Sequence, residues 1–114
     1  MNIPDGLRGW WRIVETSAWV DDDLDLLGPA LISFTGAEDQ LRMHYLVAQV
    51  QVTATWKDGL SFNWNGAWEC EQVQGEGEVR LVNEGRIEVD FEIEDGDESA
   101  FVAVRAKAPV QTIL

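Results

Sequence analysis

The chain has 114 residues, 46% of them apolar, with 21 acidic side chains against 8 basic ones and a formal charge of −13. That length suits one domain, residues 1–114, burying roughly 65% of its unfolded surface without help from disulfides or metals. A surface of this sign repels nucleic acid and anionic membranes, so neither is an expected partner. It serves solubility, or more specifically the attraction of a basic protein.

The N-terminus carries neither a basic start nor an apolar run, so it does not read as a secretory signal. No stretch has the length of a membrane-spanning helix. Cys70 is the single cysteine, which excludes an internal disulfide. These features favour a cytoplasmic, bacterial-type protein.

Residues 1–7 read as a loose lead-in, and 8–15 as a strand rich in aromatic and β-branched residues. Ser17 can cap a short helix, Leu24 and Leu27 share one face, and Gly28-Pro29 ends it; this predicts one helical turn near residues 19–27. Residues 30–35 read as a short apolar strand, 36–39 as a turn, and 40–48 alternate imperfectly. Val50, Val52, Ala54 and Trp56 then alternate cleanly with polar residues. Asp58-Gly59 predicts a hairpin turn, Leu60, Phe62 and Trp64 the inner face of the next strand, and Asn65-Gly66 a further turn. Residues 68–74 and 76–82 read as strands split near Gly75, where Gly75 and Gly77 suggest a bulge or bend. Asn83-Glu84-Gly85 turns the chain. Ile87, Val89, Phe91 and Ile93 face inward against Glu88, Asp90, Glu92 and Glu94 outward. Asp95-Gly96 turns it again, 98–106 forms the last strand, and 107–114 reads as a tail. Short strands joined by tight turns make an all-β meander. Closing it removes the sheet edges, so the expected fold is an antiparallel up-and-down barrel of about eight strands, with a two-sheet sandwich as the alternative.

Two distant segments suit each other. Gly9-Trp10-Trp11 on the first strand and Arg105 on the last resemble the G-x-W motif and closing arginine of lipocalin-like (calycin) barrels. That resemblance implies that Arg105 lies across the indole of Trp11 and closes one barrel end, with Gly9, Trp11 and Arg105 as structural residues. Residues Trp19–Phe34, the Phe62-x-Trp64-x-Gly66 strand and the run from Asp97 to Arg105 are similar to a family of small bacterial proteins. This second resemblance implies the fold and carries no activity with it.

Candidate chemistry is sparse. Asp21, Asp22, Asp23 and Asp25 suggest calcium, but their spacing is not that of an EF-hand loop, and an acidic first helical turn explains them. His44 and Cys70 are too few for a transition-metal site, and no Gly-x-Ser-x-Gly elbow is present. No metal or other cofactor is therefore expected. The sole enzymatic motive is a meeting of Cys70 with His44, while Cys70 reads by default as a small buried hydrophobe. The best candidate binding set is aromatic: Tyr45, Trp56, Phe62 and Trp64, with Arg42, His44 and Asn63 as polar groups. Such a set can hold a small apolar or aromatic ligand or can simply fill a narrow barrel. Two functions follow: a ligand-binding barrel, or an acidic interaction module such as an immunity protein or inhibitor of a basic partner.

Overall fold

Alternating apolar and polar residues roll this chain into one closed sheet. The computed structural model describes residues 3–16, 30–94, 96 and 98–106. Its strands are β1 (Gly9–Thr16), β2 (Leu31–Phe34), β3 (Gln40–Met43), β4 (Leu46–Trp56), β5 (Gly59–Trp68), β6 (Glu71–Asn83), β7 (Arg86–Ile93) and β8 (Glu98–Arg105). Each pairs antiparallel with its sequence neighbours, and β1 pairs with β8 to close the barrel. This is the up-and-down topology expected, not the sandwich, and it is consistent with a calycin-like fold. The expected helical turn at 19–27, the aspartates at 21–25 and the tail at 107–114 lie outside the described residues.

Large side chains make up much of the interior. Trp11, Phe34, Phe62, Trp64 and Phe91 are all essentially inaccessible. Phe34 packs against Phe62 at 6.0 Å between ring centroids, Trp64 meets Phe91 edge-on at 6.1 Å, and Phe91 meets Phe101 at 5.7 Å. Burying each such ring contributes roughly 1.5–3 kcal/mol.

Trp11 and Arg105 are direct partners across the β1–β8 seam. The Arg105 guanidinium carbon lies 4.2 Å from the centroid of the Trp11 ring. Its Nη1 and Nη2 donate to the carbonyls of Arg8 and Gly6 at 2.7 and 2.6 Å, and Trp11 Nε1 donates to Leu7 O at 3.0 Å. Gly9 sits at φ +120°, a conformation that L side chains rarely adopt. The segment before β1 is thus not loose. Leu7 N donates to Pro4 O at 2.9 Å, and Ile3 and Leu7 are buried, so the lead-in plugs this end.

Three boundaries differ from expectation. Asn65-Gly66 makes no turn, because β5 runs on to Trp68. At Gly66 a Cβ would lie 2.1 Å from Val47 O, so that glycine serves close strand approach. The turns fall instead at 44–45 and 69–70, where His44 and Glu69 take φ values of +54° and +56°. Asn-Gly was a misleading cue there, since non-glycine residues hold the left-handed corners. β6 also runs unbroken through Gly75, which pairs with both Trp64 and Ile93. Finally, the register of β4 shifts between Val52 and Ala54, and Trp56 ends 45% exposed instead of facing the core.

Candidate interaction surface

The seven residues expected to bind a ligand lie in four places. Phe62 and Trp64 are inside the barrel, where Trp64 Nε1 is buried and has no hydrogen-bond partner. Arg42, His44 and Tyr45 sit at the β3–β4 hairpin tip, joined by Trp68. His44 stacks on Trp68 at 5.0 Å, and Tyr45 meets Trp68 edge-on at 6.1 Å. Trp68 was missed because it borders the misplaced turn. Trp56 is at the opposite end of β4, and Asn63 is exposed on the outer wall. Cys70, expected to be buried, is exposed on the β5–β6 tip, because the turn moved from residues 65–66 to 69–70. Among the described residues, no three His, Cys, Asp or Glu side chains are grouped to hold a metal ion. No helix among them is long and apolar enough to cross a membrane.

The strongest electrostatic feature is the outer wall of β6–β8. Its period-two alternation sends Glu76, Glu78 and Arg80 outward from β6 and Glu88, Asp90 and Glu92 outward from β7. Register then sets like charges face to face. Glu92 lies directly opposite Glu76 on one side and Glu98 on the other, and Glu78 lies opposite Asp90. Directly opposed side chains in an antiparallel pair are about 4.5–5.5 Å apart at Cβ, and like charges there are destabilising.

Arg80 is the cation on this wall. It donates to Asp90 at 2.7 Å and to Glu88 at 2.9 Å. Hydrogen bonding to Glu88, then to Asp90, raises the guanidinium pKa further above its usual value. Arg86 reaches Glu15 at 3.8 Å, away from the carboxylate row. Among the described residues, no Lys or Arg lies within ion-pair distance of Glu76, Glu78, Glu92 or Glu98. These four carboxylates, with Asp90, Ser61, Asn63 and Thr53, line an open groove of about 800 Å³.

No family model, curated protein or solved structure matches this chain. The fold alone does not decide function, which must come from the chemistry of these surfaces.

Proposed function

We propose that this protein is an interaction module that receives a basic protein partner on the outer wall of β6–β8, as an immunity protein or inhibitor would. The observation carrying this reading is the row Glu76–Glu92–Glu98 beside the pair Glu78–Asp90, where carboxylates oppose each other and, among the described residues, Arg80 is the one cation bonded to any of these five, at Asp90. Solubility requires net charge, but not charges stacked in register. A partner's Lys or Arg side chains would relieve that repulsion on binding and be drawn in by long-range steering. Such a partner is sought in the cytoplasm, the compartment in which a lone exposed Cys70 stays reduced.

Capture from native-host extract at low salt, followed by titration of the purified partner, tests the proposal. A basic protein should bind with an association rate that falls steeply as salt is added. Reversing Glu76 and Glu92 to Lys together should abolish the complex. Undiminished binding by that variant overturns the reading, and so does recovery of nothing basic.

A second reading is a small-molecule site inside the barrel. It is favoured by one observation, the buried Trp64 Nε1–H, a single donor among apolar rings. An apolar ligand with one acceptor oxygen would satisfy it. Tryptophan fluorescence titrated with fatty acids and aromatic metabolites tests it, and an unchanged spectrum across that panel rejects it.

A further inference from the structure

Next to the acidic wall is a surface built mainly of uncharged polar side chains. β4 and β5 together contain no charged residue, in a chain whose charged content is 25%. Their outward positions carry amides alongside Val47, Thr53 and Ser61. Gln40, Gln49, Asn65 and Gln74 stand opposite one another in an unbroken row across β3, β4, β5 and β6. Gln51 and Asn63 form the row beside it, which continues into Glu76 and Glu92. With Gln72 behind, seven of the ten amide side chains in the sequence lie on this one face.

These groups are not used up internally. Gln74 donates to Glu94, but among the described residues the side chains of Gln40, Gln49, Gln51, Asn63 and Asn65 make no hydrogen bond to another residue. Two open grooves cross the face, lined also by Glu38, Asp39 and Glu94. One groove of about 830 Å³ passes Gln40, Gln49, Gln51 and Asn65. A second of about 480 Å³ shares Gln51 and Asn65 and reaches Glu76 and Glu92.

We propose that this amide belt binds a neutral, polyhydroxylated ligand, a carbohydrate by chemical class. Each amide offers a donor and an acceptor in one plane, as a pair of neighbouring hydroxyls does, so the two match without any charge. Desolvating a neutral amide costs far less than desolvating a carboxylate or an ammonium. The net charge of −13 turns away anionic ligands, and cations are better served by the carboxylate wall. Glu76 and Glu92 at the groove rim accept hydroxyl protons. Among the described residues no aromatic side chain extends from the centre of the belt to stack on a sugar ring, so affinity is in the millimolar class. This site borders the protein interface proposed above and shares Asn63, Glu76 and Glu92 with it.

The test is backbone and side-chain amide shift mapping by NMR, titrating cellotetraose, maltotetraose and xylotetraose to millimolar concentrations. At least one should move the resonances of Gln49, Gln51, Asn65 and Gln74 together. Gln49→Ala combined with Asn65→Ala should weaken that tetrasaccharide about tenfold, as two lost hydrogen bonds would. The melting temperature of the double variant should stay put, and Glu88→Gln on the acidic wall should leave sugar binding unchanged. Shifts with none of the three sugars, or shifts outside the belt, overturn the proposal. So does self-association that the double variant abolishes while sugars have no effect, because the belt would then be a contact between copies.

Discussion

The β1–β3 side of the barrel and the β6–β8 side treat their polar groups in opposite ways. Around β2 and β3 the strands are four residues long, and every residue of β2 is buried. The buried carboxylate there is fully engaged. The buried Asp39 carboxylate accepts from Ser33 Oγ, from Thr35 N and Oγ1, and from Gly36 N. Across the seam, Arg105 and Trp11 hold the lead-in through three carbonyls. On β6–β8 the strands run 8 to 13 residues and carboxylates face carboxylates; Arg80 bonds Asp90 and Glu88, but among the described residues no cation pairs with Glu76, Glu78, Glu92 or Glu98. The first region is organised for stability. The second spends stability on a charge pattern, which is the physical reason to look for function there.

The sharpest way to break this comparison is at the stabilised side. Trp11→Ala removes a fully buried indole together with its bond to Leu7 O, and should cost roughly 3–5 kcal/mol in denaturant unfolding. Arg105→Ala removes the stacking and two carbonyl contacts, and should cost roughly 1–3 kcal/mol. The double variant should cost less than the sum, because both residues hold the same plug. Simple additivity would mean that the two side chains are neighbours without being partners.

A second test concerns the long hairpin of β4 and β5. Gly66→Ala places a methyl group 2.1 Å from Val47 O and 2.5 Å from Ala48 Cα, both backbone atoms with little freedom to yield. The expected loss is roughly 1–3 kcal/mol. A neutral result would mean that the strands can separate there, and that Asn65-Gly66 retains some of the turn character its sequence suggests.

That dipeptide shows where sequence reading succeeds and where it stops. Alternation in β5 and β7 was legible because each strand has one buried and one solvated face, so parity assigns Phe62, Trp64, Val89 and Phe91 inward. The meeting of Trp11 with Arg105 was suggested only by the resemblance to calycin barrels, since the strand's own alternation does not choose between Trp10 and Trp11. The β3–β4 and β5–β6 turns were not, since His44 and Glu69 adopt positive φ without glycine, and nothing local announces it. Trp56 escaped for a related reason: a register shift in β4 inverts parity after Val52. The acidic row on β7 could be read, but its opposition to Glu76 and Glu98 depends on register between strands, which one strand's sequence does not contain.

The smallest effect is the one most specific to the acidic wall. Glu92 stands between Glu76 and Glu98, so Glu92→Gln removes two opposed like-charge pairs while keeping the side chain's shape. A surface substitution of this kind ordinarily changes stability little or lowers it. Here the sign should be positive, a gain of about 0.2–1 kcal/mol at low ionic strength. Because Glu92 is exposed, the gain should shrink as salt rises and the Debye length falls to about 10 Å at 0.1 M. The wild-type protein should itself become more stable over the same salt range, and the two melting curves should converge. The matching substitution Glu88→Gln removes a carboxylate bonded to Arg80, and should give no gain at any salt concentration. If Glu92→Gln is neutral at low salt, the carboxylates are solvated independently and the row stores no repulsion. If it stabilises while also weakening capture of the basic partner, the same charges that cost the fold stability are the ones that bind.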